Sequence, residues 1–383
     1  VSGDGRRKIA VVTGTRAEWG LLEPVCAEIA ARHDLALDVC AGGAHLLKSA
    51  DGDDATVALV EASGYAVQRF AMQEEGKSGR AADAAALGRG VSRLAEIFAR
   101  LSPDIVVVLG DRIEAFAAAS AASIGGIRVA HIHGGDRAEG VADEAMRHAI
   151  TKLSHMHFAA SAQSAERIAR LGEDSARIHL VGSTAIDGLD ACMPMSDAAH
   201  AALGAPEFVF LMHPVGRTDA EEEREAQSLL EALSERGRVM ALAPNTDPGR
   251  DGIARAIRRM AEQKRERVRA ETNLARRDFV GLLRHPKVRA LVGNSSAGLI
   301  ECAALGVRAI NIGSRQGGRE RADNARDVAT GDGAGLAREL DGICGWRPTG
   351  VHPYLSGAAS GRIAMILATC DLSQHGLVKR NTY

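Results

Sequence analysis

Short runs of β-branched and aliphatic residues alternate along the chain with longer stretches whose apolar positions recur every three or four residues. The short runs predict strands at 8–13, 36–40, 105–109, 128–131, 156–160 and 178–181. The long ones predict helices at 18–31, 80–100 and 113–123. Strand, helix and strand in repetition is the pattern of a parallel sheet covered on both faces. A second series starts near Phe208, with strands at 208–212, 239–243, 290–292 and 309–312 and helices at 220–236, 252–265, 297–304 and 335–344. The join at 189–206 carries Pro194, Asp197 and Pro206. A last helix is expected at 357–370. The chain therefore reads as α/β, with two Rossmann-like domains whose parallel sheets face a central cleft. The expected limits are 1–190 and 191–365, with a helix and tail at 366–383 that pack back on the first domain.

Ligands of open parallel sheets bind beyond the carboxyl ends of the strands. Here polar and glycine residues concentrate at those ends: Gly14-Thr15-Arg16, Gly110-Asp111-Arg112, His131 to Asp136, His213-Pro214, Pro244 to Asp247 and Gly293 to Ser296. The segment Gly293-Asn294-Ser295-Ser296-Ala297-Gly298 follows a strand and opens a predicted helix. Small residues and free N–H groups there suit a diphosphate, or else Ser and Asn simply cap the helix. Glu301, one turn on, is placed to accept from ribose hydroxyls. The segment Gly313 to Arg319 joins glycines to two guanidinium groups, Arg315 and Arg319, that can pair with phosphate oxygens, and Arg16 repeats the pattern in the first domain. Asp111, at the end of a buried strand, is a candidate base with raised proton affinity, or an N-cap. Asp143 and Arg147 are spaced for an i,i+4 pair. His148, His155 and His157 are expected to pack around the strand at 156–160.

Composition narrows the chemistry. Aromatics are 3%, so Ala, Val, Leu and Ile must build the core, and the net charge of -2 gives no basic excess for a nucleic-acid partner. Any anion must be held by local arginines and backbone amides. The cysteines at 26, 40, 192, 302, 344 and 370 lack C-x-x-C spacing; they read as small buried hydrophobes and fit a reducing cytoplasm. No apolar run is long enough to span a bilayer and no signal peptide is expected. The pair His131 and His133 has no third residue at metal-site spacing, so neither a metal nor a cofactor is expected.

Taken together, Thr13-Gly14-Thr15-Arg16-Ala17-Glu18, the run Arg147 to His155 and Arg315-Gln316-Gly317-Gly318-Arg319 resemble the UDP-N-acetylglucosamine 2-epimerase family, and its hydrolysing branch above all. The resemblance covers roughly Lys8 to the last helix. It implies a GT-B fold and a reaction in which loss of the C2 proton and of UDP gives a glycal, to which water adds with inverted configuration at C2. The expected product is a free sugar of the N-acetylmannosamine type, for sialic-acid-like pathways. By the resemblance the first domain holds the sugar and the second the nucleotide diphosphate. Asp111 and Asp143 match catalytic carboxylates and His213 a catalytic histidine. Arg16, Arg112, Asn245, Ser295, Ser296, Glu301 and Arg315 match nucleotide-binding positions, and His45 a histidine reaching the sugar. Arg147, Gln316 and Arg319 complete the expected substrate contacts. Many relatives carry a catalytic Glu two residues after the histidine at 131; here it is His133. Either His133 transfers the proton itself or Asp136 supplies the carboxylate. The family also implies a homodimer or homotetramer, with a nucleotide sugar as the small-molecule partner and no membrane partner.

Three other readings fit part of the pattern: a non-hydrolysing epimerase, a glycosyltransferase of the same fold, and a nucleotide-sugar sensor without catalysis. A sensor needs the Arg and Ser residues but not the carboxylates at the strand ends. The sugar, N-acetylglucosamine or a 2,4-diacetamido-6-deoxy sugar, and the base, UDP or GDP, stay open at this level.

Overall fold

The computed structural model describes residues 5–47, 56–77, 79–137, 143–245, 247, 249–355, 357–373, 376–379 and 382, and the Asp143 side chain lies outside this set. The chain divides into two compact units, one of Val1–Asp136, Ala142–Asp187 and Tyr354–Tyr383, the other of Arg137–Val141 and Gly188–Pro353. Each is α/β with one parallel sheet.

The first unit runs β1 (Arg7–Thr13), α1 (Arg16–Ala30), β2 (Leu35–Gly42), α2 (Val57–Glu61), β3 (Ala66–Phe70), α3 (Arg80–Leu101), β4 (Ile105–Leu109), α4 (Ile113–Ile124), β5 (Arg128–Ile132), α5 (Asp143–Leu153), β6 (Met156–Ala159), α6 (Ala162–Arg170) and β7 (Ile178–Leu180). Its sheet order is β3-β2-β1-β4-β5-β6-β7. Successive strand side chains point to opposite faces. Ile9, Val11, Ile105, Val107 and Ile132 therefore face α1, while Ala10, Val12, Val106, Val108 and Val129 face α3 and α4. Burial on both faces is why these strands read as unbroken apolar runs.

The second unit runs α7 (Asp197–Ala202), β8 (Phe208–Leu211), α8 (Asp219–Arg236), β9 (Val239–Leu242), α9 (Arg250–Gln263), β10 (Val268–Glu271), α10 (Arg276–Leu283), β11 (Ala290–Gly293), α11 (Glu301–Ala304), β12 (Ala309–Ile312), β13 (Ala325–Val328) and α12 (Gly333–Gly342). Its order is β10-β9-β8-β11-β12-β13. Phe208, Phe210, Val292 and Ile310 pack on α8 and α9, and Val209, Met240 and Leu291 on the opposite face. In both sheets the strand order reverses beside the first strand of the unit, between β1 and β4 and between β8 and β11. Ligands of doubly wound sheets bind at such switch points.

The helix expected at 297–304 is not continuous. A 3-10 turn at Ser296–Gly298 precedes the short α11. The Ser295 hydroxyl accepts the Ala297 N–H, and the Asn324 amide takes the Gly298 carbonyl, so helical bonding cannot run through. β3, β10 and β13, at sheet edges, were not expected from the hydrophobic pattern. Cys26, Cys40 and Cys302 are buried as expected, but Cys344 is exposed.

The last helix, α13 (Ala359–Thr369), belongs to the first unit, which the chain re-enters at Tyr354, earlier than the expected 366. Ile363, Ala364 and Leu367 join Leu22, Val25 and Ile29 of α1 in one core. Asp187 caps α13 by accepting the N–H groups of Ala359 and Ser360 at 2.9 and 2.6 Å. Beyond it, Lys379 reaches the buried Glu173, at 2.6 Å. Glu173 also meets Lys152 at 2.7 Å and His157 Nε2 at 3.0 Å. Burial opposes its charge, but hydrogen bonds from His157, Lys152 and Lys379 prevail and hold its carboxyl down at about 2. His155 Nδ1 accepts from Val129 N, and His157 on β6 is buried against Glu173, as expected, whereas His148 is half-exposed and faces Glu144 of its own helix at 3.5 Å. Among the described residues no helix is long and apolar enough to cross a membrane.

Candidate active site

In the first unit, the loops after β1, β2 and β4 converge on Glu114. This side chain is fully buried, receives Gln73 Nε2 at 2.8 Å and lies 3.3 Å from Arg112 Nε. It fills the space that side chains at positions 14 and 43 would need: a Cβ on Gly14 would come within 2.4 Å of its Cγ, and one on Gly43 within 2.5 Å. Thr15 and Glu18 form a capping box at the start of α1, and Glu18 Oε2 also accepts the Gly14 N–H at 2.9 Å. Burial, then the nearby Glu114 charge, push Glu18 up to about 7. A carboxyl raised in this way favours folding below its ordinary value near 4.5, and the contribution is lost as pH rises through about 7. Glu18→Gln keeps an acceptor for the two amides and removes the charge. Its melting temperature is expected to vary less between pH 5 and 8 than that of the unmodified protein; an unchanged pH dependence in calorimetric scans would contradict this.

Arg16 starts α1 and is exposed. His45 sits on a buried turn with Nε2 3.0 Å from Thr13 Oγ1 and Nδ1 2.9 Å from Thr56 Oγ1. Burial pushes it down to about 4. Both ring nitrogens thus face threonine hydroxyls.

Asp111, after β4, pairs with Arg147 of α5. The expected partner of Arg147 was Asp143, four residues before it; Asp143's side chain lies outside the described residues. Arg147 Nη1 also donates to the His133 carbonyl at 3.2 Å. His133 follows β5 with a left-handed backbone, φ 62°. Its Nδ1 is 3.0 Å from Asp136 Oδ2 and its Nε2 3.2 Å from Ser183 Oγ, while Ser164 Oγ donates to Asp136 Oδ1 at 2.8 Å. His131 Nε2 lies 2.7 Å from the Gly110 carbonyl and Nδ1 3.2 Å from Thr151 Oγ1. The two histidines of the H-x-H therefore engage different partners, and among the described residues no group of His, Cys, Asp and Glu is placed to hold a metal ion. Asp111, Arg147, His133 and Asp136 form one connected set. Glu114, Ser164 and Ser183 were missed as members of this region; only the place of Glu114 in the first turn of the helix predicted at 113–123 hinted at it.

In the second unit, Asn294 bridges the loops after β8 and β11. Its Oδ1 accepts the His213 N–H at 2.7 Å, and its Nδ2 donates to the His213 carbonyl at 2.8 Å. Gly293 allows this approach: at φ 147°, a Cβ there would lie 2.0 Å from the Leu211 carbonyl oxygen. The Asn294 carbonyl accepts from Gln316 Nε2 at 2.9 Å and Arg315 Nη1 at 3.4 Å. Sequence reading placed Asn294 in a motif without giving it a role; its anchoring of His213 spans two strands and leaves no local signal. His213 Nδ1 accepts the Asn245 N–H at 3.1 Å. Burial, with the Arg315 charge, pushes His213 down to about 3, so at neutral pH it is uncharged. With Nδ1 accepting, its proton sits on Nε2, which becomes a hydrogen-bond donor. Ser295 spends its hydroxyl on the Ala297 cap, and Ser296 begins the 3-10 turn. Glu301 lies 3.8 Å from Arg276, and Arg319 Nε donates to the Arg137 carbonyl at 3.2 Å. The Asn245 side chain bonds Asp247 at 2.5 Å. A cavity of about 250 Å³ at this sheet edge is lined by Met212, Asn294, Gly313, Ser314 and Thr330, among others.

This chain is similar along 98% of its length, at 33% identity, to the whole UDP-N,N'-diacetylbacillosamine 2-epimerase (hydrolyzing) of Legionella pneumophila. It is 28% identical to the GDP/UDP-N,N'-diacetylbacillosamine 2-epimerase (hydrolyzing) of Campylobacter jejuni, over 85% of each chain. Its fold matches that of Methanocaldococcus jannaschii UDP-GlcNAc 2-epimerase, solved in complex with UDP-GlcNAc and UDP, with a TM-score of 0.78 at 18% identity over 94% of this chain and 99% of the other. The family model described as UDP-N-acetylglucosamine 2-epimerase matches residues 27–368, and the chain belongs to that family of enzymes.

Proposed function

We propose that this chain is a hydrolysing 2-epimerase that converts a UDP-2-acetamido sugar to UDP and the free, C2-inverted sugar. The observation that carries the reading is the connected set Asp111, Arg147, His133 and Asp136 at the strand ends of the first sheet. A sensor has no need of such a set, and similarity to a hydrolysing enzyme over the full chain supports water, not a second sugar, as the acceptor. In this reading Asp111, aimed by Arg147, removes the C2 proton, and the His133–Asp136 pair handles the second proton transfer. Asp143 takes the further carboxylate role that the family resemblance gives it. In the second unit, His213 Nε2–H, Arg315 and the amides near Ser296 stabilise charge on the departing UDP, with Asn245, Ser295, Glu301, Gln316 and Arg319 shaping the nucleotide pocket. Arg16, Arg112 and His45 serve the same substrate from the first unit, His45 by holding its loop.

The sugar we favour is the 2,4-diacetamido-6-deoxy one, in place of the N-acetylglucosamine expected from the sequence, because two hydrolysing relatives are named for it. A cytoplasmic homo-oligomer remains part of the proposal. Incubation with each UDP-sugar alone, followed by NMR, is expected to show free UDP and the C2-inverted sugar. Epimeric UDP-sugar without free UDP would establish a non-hydrolysing enzyme instead.

A further inference from the structure

We propose that Ser183 is a positioning residue that fixes the tautomer of His133, so that its imidazole is set for proton transfer; this rests on reading His133 as a proton-transfer group. The ring is held at both ends. On one side Asp136 lies 3.0 Å from Nδ1. An ionised carboxylate only accepts, so Nδ1 carries the hydrogen. Asp136 is itself fixed from its other oxygen by the Ser164 hydroxyl.

On the other side Ser183 Oγ lies 3.2 Å from Nε2. That oxygen already accepts the Ala185 N–H at 3.2 Å. Its own hydrogen is then available to donate to the Nε2 lone pair. The neutral ring is therefore the Nδ1–H form, with its basic electron pair on Nε2. Ser183 is fully buried and its backbone is anchored, with its N–H donating to the Tyr354 carbonyl at 3.3 Å. The φ of 62° at His133 is uncommon outside glycine; such a conformation persists where the surroundings fix it, as the hydroxyl, carboxylate and guanidinium contacts do here.

The orientation of His133 is tied to Asp111, because the His133 carbonyl receives Arg147, the partner of Asp111. The charged and titratable groups around this loop are Asp136 in the loop, His131 on β5, Arg147 on α5, Arg167 on α6, whose Nη1 donates to the Gly135 carbonyl, and Arg362 on α13, whose Nε donates to the Val181 carbonyl. All are untouched by a change at Ser183, so Ser183→Ala isolates the hydroxyl.

The test is long-range proton–nitrogen NMR on protein labelled with ¹⁵N-histidine, with His133 assigned by its loss in His133→Gln. The unmodified protein is expected to show His133 as Nδ1–H. In Ser183→Ala the ring should become a mixture of tautomers, kcat for UDP release should fall roughly ten- to a hundredfold with little change in KM, and the acid limb of the pH–kcat profile should move. Ser183→Thr, which keeps the hydroxyl, should restore the tautomer. An Nε2–H ring in the unmodified protein, or an unaltered tautomer and pH profile in Ser183→Ala, would overturn the assignment. A changed tautomer with unchanged kcat would uphold the tautomer assignment and overturn the catalytic reading of His133.

Discussion

Replacement of Asp111 by Asn is expected to lower kcat for UDP release by roughly a hundredfold or more, the usual contribution of a general base. The C2 hydrogen of a sugar is a weak acid, and its removal needs a base that is both charged and aimed. Asn keeps the size of Asp and can still accept a hydrogen bond from Arg147. It cannot take a proton. UDP affinity is expected to change little, since the phosphate-binding residues we propose lie mainly on the other unit. Steady-state UDP release and calorimetric UDP titration separate the two effects. A kcat equal to that of the unmodified enzyme would remove Asp111 from the chemistry, whereas a large loss of UDP affinity with intact kcat would make the Asp111–Arg147 pair part of the binding site.

The largest effect on stability is expected at Glu173, away from the proposed chemistry. Its carboxylate is buried under Lys152, Lys379 and His157. Glu173→Gln leaves those groups without their counter-charge, and breaking a buried ion pair from one side costs about 3–5 kcal/mol. A fall of several degrees in the melting temperature of the first unit should follow, with UDP binding intact. The pH dependence has a definite sign. The carboxyl is held at about 2 in the folded protein against an ordinary value of 4.5. Its stabilising contribution is therefore present above about 4.5 and is lost as pH falls toward 2. The variant should melt below the unmodified protein at pH 7, with the gap narrowing between pH 4.5 and 2. Equal melting at pH 7 would mean that the cluster contributes nothing to folding.

The central strands were legible because burial on both faces leaves a continuous apolar run, as in Ile105–Leu109 and Ala309–Ile312, whose observed limits match the expected ones. Three of the four edge strands were not, β7 being the exception. β3, β10 and β13 each have a face toward water and carry Gln68, Arg69, Glu271, Arg326 and Asp327 among their few residues, so no apolar run marks them. The strand-end positions of Asp111, His133, Asp136 and His213 followed from the alternation of strands and helices. Their partners did not. Arg147 had a plausible partner four residues away in Asp143, and only the folding of α5 beside the β4 loop brings it to Asp111. Glu114 likewise acquires its place from glycines at 14 and 43, far from it in sequence. Helix continuity at 297–304 failed for the same reason, since Asn324, which takes the Gly298 carbonyl, comes from a later loop.

The return of the chain to its first unit has a consequence for biosynthesis. α1 emerges from the ribosome early, but the apolar face that Leu22, Val25 and Ile29 share with Ile363, Ala364 and Leu367 cannot close until residues after Pro353 have been made. Throughout translation of the second unit, a nascent first unit carries an uncovered hydrophobic stripe and an Asp187 carboxylate still waiting for the N–H groups of Ala359 and Ser360. Such exposed surface is what chaperones bind and what leads incomplete chains to associate. Ribosome-stalled chains ending near residue 353 should thus be more susceptible to proteolysis between residues 5 and 187 than the released protein, although that segment already contains all seven strands of its sheet.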